Sequence, residues 1–243
     1  ECYFCKENYE NPCKILNVKQ IWGVKMFTAP MLNTIFSNTN HKEFKELLEN
    51  LCNTTHDKKL ELLFKGYTRQ ISSKEFTDLS SEYGFADFLH YSIVTFRYVS
   101  KNTFLCSTKD QTGESLIVLL QLYNHKHNYE KVTQNVSYTS ALKSKNKVFD
   151  KNELFKDINP YTDKDLFNEA IKNDNIKCVS ELVKKGKYEM YWDTDVKSLE
   201  MLKLLHFSGH CDKIKDSVIN KVLELQNKDM LDFIIDNNYP IRQ

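Results

Sequence analysis

The sequence predicts a predominantly α-helical protein, with a few strands confined to an α+β N-terminal domain and stacked helices at the C-terminal end. Three observations carry this. Only six Gly and four Pro occur in 243 residues, too few for a fold of many tight hairpins. Apolar residues recur at helical spacing over much of the length, and the last third contains a self-similar pattern. Hydrophobic residues make up 41% and charged residues 28%, the balance of a chain that folds around a core.

From the N-terminus, Lys14-Ile15-Leu16-Asn17-Val18 and Ile21-Trp22-Gly23-Val24 alternate passably as strands, and Phe27 to Phe36 reads as a helix. Lys42 to Ser100 reads as mostly helical. Phe44, Leu47, Leu48 and Leu51 form one apolar stripe, and Leu60, Leu62, Leu63 and Phe64 begin another.

The stretch Leu62-Leu63-Phe64-Lys65-Gly66-Tyr67-Thr68-Arg69-Gln70-Ile71, followed by Phe76, Leu79, Tyr83, Gly84-Phe85, Phe88 and Leu89, resembles the second half of a BTB/POZ domain. Arg69 stands where that pattern commonly has Gly. The resemblance implies a sheet-and-helix N-terminal domain over residues 1–110 that dimerises or docks; a plain helical domain is the other reading.

Residues 111–160 read as a connecting region. Ser115 to Tyr123 suits either a helix or a buried strand, and Ser137 to Lys151 is rich in Ser, Asn and Lys. Pro160-Tyr161-Thr162-Asp163 marks the entrance to the next helix, with Thr162 or Asp163 as N-cap.

Residues 161–243 carry the repeat. Asp165-Leu166-Phe167 through Val179, Leu182 and Val183 to Tyr188 lies without gaps on Asp216-Ser217-Val218 through Met230, Phe233 and Ile234 to Tyr239. Between them Met201, Leu204 and Leu205 take the places of Val179, Leu182 and Val183. Each full unit reads as two short helices around a polar break such as Asn173-Asp174-Asn175, ending in a turn such as Lys185-Gly186. This resembles the ankyrin repeat in degenerate form, of the kind found in proteins of large DNA viruses, although the Thr-Pro-Leu-His signature is absent. The resemblance implies helix pairs that bury their apolar faces by stacking and leave an extended binding surface. An all-helical domain with two similar hairpins is the alternative.

The cysteines offer one metal reading. Cys2 and Cys5 have the spacing by which two thiolates grip one tetrahedral zinc, and Cys52-x3-His56 is a candidate second half. An unstructured, reduced tail is the plainer interpretation, and no other cofactor is expected. Seven cysteines without a dense framework fit a reducing compartment. His125 and His127 read as solvated loop histidines, and His206 and His210 as solvated side chains near a helix end.

Lys and Arg total 34 against 33 Asp and Glu, so nothing in the charge balance calls for nucleic acid. No apolar run approaches the roughly 20 residues that span a bilayer, and no membrane is expected. Phosphate loops, nucleophile elbows and zinc-protease helices are all missing as motifs, which lowers the expectation of an enzyme. The expected function is therefore a non-enzymatic protein-interaction protein, cytoplasmic and, if viral, a host-interaction factor. Its partner is a protein of unknown identity, or a second copy in a homodimer. Tyr188, Tyr191 and Trp192 are the candidate anchors, since Tyr and Trp dominate binding hot spots. The alternative is a zinc-stabilised, nucleic-acid-associated protein built on Cys2, Cys5, Cys52 and His56.

Overall fold

A chain this poor in glycine must turn with other residues, and it does. The computed structural model describes residues 27–37, 42–124, 154–186, 188, 195–209, 219, 222–224 and 227–239. Among these, every regular element is an α-helix and no strand occurs. The strands expected over 14–18 and 21–24 lie outside the described residues. His56, Arg69, Arg97, Asp174 and Asn238 adopt left-handed backbone with φ between 52° and 56°, a conformation in which Asn, Asp and His are enriched among non-glycine residues and Arg is uncommon.

One corner geometry serves helix after helix. Where Arg69, Gly84, Asp174 and Asn238 turn left-handed, the next N–H reaches back to a carbonyl five residues earlier. Gln70 donates to Lys65 at 2.9 Å, Phe85 to Ser80 at 3.0 Å, Asn175 to Ala170 at 2.9 Å and Tyr239 to Ile234 at 3.1 Å. These bonds satisfy carbonyls that a helix end otherwise leaves unpaired.

Two compact units result. The first holds α1 (Ala29–Ser37), α2 (Lys42–Thr55), α3 (Lys58–Tyr67), α4 (Ser73–Glu82) as far as Ser80, and α5 (Ala86–Phe96). Its helices form where the stripes predict. Phe44, Leu48 and Leu51 are the buried face of α2, and Leu60, Leu62, Leu63 and Tyr67 that of α3. Asp57 starts α3, its carboxylate accepting the N–H groups of Lys59 and Leu60. The core is aromatic: Phe44 meets Tyr67 edge-on at 5.2 Å, and Phe76 stacks on Phe88 at 5.5 Å.

A charge is held inside this core. Lys59 Nζ lies 2.7 Å from Asp87 Oδ2 and within 6 Å of the Phe27, Phe85 and Phe88 ring centres. Asp87 also accepts the Phe27 N–H at 2.7 Å and its neighbour Phe88's at 2.9 Å. The carboxylate thus anchors the start of the described chain.

The second unit holds Ser81–Gly84, α6 (Lys101–Ser107), α7 (Glu114–Asn124), α8 (Lys164–Lys172), α9 (Ile176–Val183), α10 (Leu199–Phe207) and α11 (Lys228–Asp236). It therefore takes in Ser100–Asn124, across the boundary placed at 110/111. The ambiguous stretch 115–123 is the body of helix α7. Short polar caps start these helices: a Ser100–Thr103 capping box for α6, Asp163 for α8, Asn175 for α9, Ser198 for α10 and Asn227 for α11.

Candidate functional site

The second unit is locked at its corners by side-chain amides. Asn175 is fully buried; its Oδ1 accepts the Cys178 N–H at 3.0 Å to cap α9. Its Nδ2 donates to the carbonyls of Thr108 at 2.8 Å and Asp110 at 2.7 Å, on the corner between α6 and α7. Asn173 Nδ2 adds a bond to Thr108 Oγ1 at 2.8 Å, and Gln111 returns one to the Asn173 carbonyl at 3.0 Å. Asp110 organises the other corner, accepting from Thr112 and from the Ser115 N–H at 3.0 Å. Two helix pairs are thereby joined loop to loop, and of the buried polar side chains at the two corners the Ser115 hydroxyl alone is without a partner among the described residues.

Cys178 packs beneath this joint. Burial, reinforced by the Asp110 and Glu181 carboxylates, pushes its thiol up to about 12, so it stays protonated and unreactive at neutral pH.

The next helix is tied to the same corner. Ser198 Oγ accepts the Met201 N–H at 3.2 Å as cap of α10 and donates to Asp174 Oδ1 at 2.6 Å. Helix α10 turns Met201, Leu202 and Leu205 inward, all fully buried, and α11 turns in Met230 and Ile234. The caps set the repeat register: Asn175, Ser198 and Asn227 are equivalent, and so are Cys178, Met201 and Met230 at the capped N–H. This shifts the first step by one residue, since Cys178 rather than Val179 matches Met201. Leu204, expected in the buried stripe, is only partly covered.

The outer side of α10 and α11 is the candidate binding surface. Phe207 is 78% exposed and Ile235 is 56% exposed, large apolar side chains on helices whose inner faces are already packed. Phe207 does not stand alone. Its ring meets His206 edge-on at 5.1 Å; His206 meets Phe233 at 5.4 Å and Tyr239 at 5.7 Å. His206 Nδ1 and the Tyr239 hydroxyl share a hydrogen bond, so the aromatic patch is braced by a polar contact beneath it.

The expected site residues are placed as follows. Tyr188 is 7% exposed, stacked on Phe167 at 4.5 Å and 9°, with its hydroxyl donating to the Pro160 carbonyl at 2.9 Å. It is a core residue, not an exposed anchor, and burial pushes its hydroxyl pKa up. Tyr191 and Trp192 lie outside the described residues, as do Cys2, Cys5, His125, His127 and His210.

Cys52 and His56 sit at the end of α2, where His56 is the exposed left-handed residue whose N–H bonds the Cys52 carbonyl at 3.1 Å. Their spacing thus serves helix termination. Burial, with Glu61 and Asp57 adding to it, raises the Cys52 pKa and disfavours a thiolate there. Among the described residues, no three His, Cys, Asp or Glu side chains gather to hold a metal, and no helix is long and apolar enough to cross a membrane.

Phe207 and Ile235 were not singled out by the sequence, and His206, expected as a solvated side chain, is instead part-buried and bonded to Tyr239. One signal was available: Phe207 and Ile235 fall one or two positions past the last buried residue, where continued apolarity is unneeded for the core. No known family model matches this chain, and comparison with curated proteins and with solved structures likewise returns no match.

Proposed function

We propose that the protein is a non-enzymatic interaction module of degenerate ankyrin type, whose terminal helices α10 and α11 dock a protein partner. One observation carries the reading: Phe207 and Ile235 project from helices whose inner faces are already buried. Exposed aromatic residues flanked by polar ones are the usual anchors of protein interfaces. The corner network of Asn173, Asn175 and Ser198 supports it, because a rigid platform presents such anchors at small entropic cost.

The experiment is paired substitution. Phe207→Asp with Ile235→Asp should abolish capture of the partner retained by the wild-type protein while leaving the circular dichroism melt unchanged. Lys45→Asp, exposed on α2 in the first unit, should leave capture intact. Undiminished capture by the double variant would refute the assignment of this face.

A further inference from the structure

The first unit contains a cleft of about 600 Å³ that the interaction reading does not use. Its walls are three phenylalanines set nearly at right angles. Phe36 meets Phe76 at 5.4 Å and 81°, Phe36 meets Phe96 at 6.1 Å and 88°, and Phe76 meets Phe96 at 6.2 Å and 82°. Phe76 is buried, whereas Phe36 and Phe96, in contact edge-on, are partly buried and offer their remaining ring surface to the opening.

Gly66 lets the cleft reach its depth. A Cβ at that position would lie 2.8 Å from the Phe76 ring and 3.2 Å from that of Phe36, so any side chain would push both aromatics into the opening.

The rim is polar and of one sign. Arg69 is exposed at the left-handed turn after α3, and its guanidinium has no carboxylate within ion-pair distance among the described residues. The lining includes no Asp or Glu. Ser72 accepts the Glu75 N–H at 3.2 Å at the start of α4, which leaves its hydroxyl proton to donate. Cavities of this size that combine aromatic walls with converging polar groups are a usual form of small-ligand site.

From the aromatic box and the unopposed cation at its mouth, we infer that this cleft binds a small organic anion with a flat apolar body. The acid group meets Arg69 and Ser72, and the apolar part lies against the outward ring surfaces of Phe36 and Phe96. A neutral analogue keeps the stacking and loses the charge-assisted bonds, while a cationic one faces Arg69 unfavourably.

Ligand-observed and protein-observed NMR titrations with 2-naphthoate, 2-naphthylmethanol and 2-naphthylmethylammonium test this on the full chain. The acid should bind about tenfold more tightly than the alcohol, with shifts centred on Phe36, Phe76 and Phe96, and the amine should bind least. Arg69→Asn suits the left-handed backbone, so it should fold normally and reduce the acid to the alcohol's affinity. Arg69→Lys should keep the acid's preference. Equal binding of acid and alcohol, shifts centred elsewhere, an acid preference that survives Arg69→Asn, or no saturable binding up to about 5 mM would each overturn the inference.

Discussion

Asn175 donates through Nδ2 to the carbonyl of Thr108 at 2.8 Å, across 67 residues of sequence, while its own Oδ1 caps the helix that follows it. One buried carboxamide therefore starts a helix and holds the adjoining helix pair in place.

Replacing Asn175 by Ala strands the Thr108 carbonyl and the N–H of Cys178, both deep in the second unit, and takes from the Asp110 carbonyl one of two donors, the Gly113 N–H remaining at 2.9 Å. The expected loss is about 3–5 kcal/mol, since each orphaned buried group costs roughly 1–3 kcal/mol. Asn175→Asp keeps the cap but turns both donors into repelled acceptors, and it should fare no better. Urea unfolding of the two variants checks this; a loss below about 1 kcal/mol for either would refute the role given to Asn175.

In the first unit, the Lys59–Asp87 pair predicts an ordering. Asp87→Ala leaves a buried ammonium among three rings and frees the Phe27 N–H, which should cost about 3–5 kcal/mol. Lys59→Met keeps the packing on those rings, and Asp87 still accepts two N–H groups, so the loss should be smaller. Thermal melts of both variants give the comparison, and a reversed order would contradict the account.

His90 supplies a pH dependence. Burial holds its pKa below the ordinary 6.5, so the folded chain binds fewer protons than the unfolded one as the pH drops through that value. Stability from this group is complete above about pH 6.5 and declines as acid is added toward the folded pKa. The urea midpoint should fall between pH 7 and pH 5, and His90→Gln should flatten that fall. An unchanged slope in the variant would exclude His90 as the source.

Much of the helical fold was legible because it is periodic. Phe44, Leu48 and Leu51, or Leu60 and Leu63, define a face without knowledge of any neighbour. Register was less legible, because Ile176, Cys178, Val179, Leu182 and Val183 offer two overlapping stripes. The Asn175 cap selects between them, and its equivalence with Ser198 and Asn227 shows only once each side chain is seen on its N–H.

The site was harder to read for a different reason. Tyr188 sits in an aperiodic stretch, where a buried and an exposed aromatic look alike until Phe167 is found against it. Phe207 and Ile235 adjoin core positions and read as part of them. The left-handed turns at Arg69 and Arg97 run against residue preference, so the local sequence does not announce them. Likewise Asn173-Asp174-Asn175 reads as a simple break, although two of its side chains bond a corner more than sixty residues away.

The central claim is that the outer face of α10 and α11 is where a protein partner sits. Site-specific photo-crosslinking puts it to the most direct test, with p-benzoylphenylalanine in place of Phe207 and, separately, of Lys45 on the first unit. Irradiation in the cell should give one discrete protein adduct from position 207, absent from position 45 and suppressed by Ile235→Asp; an adduct of twice the chain's mass would identify the partner as a second copy. Equal, diffuse adducts from both positions, or none from 207, would contradict the account.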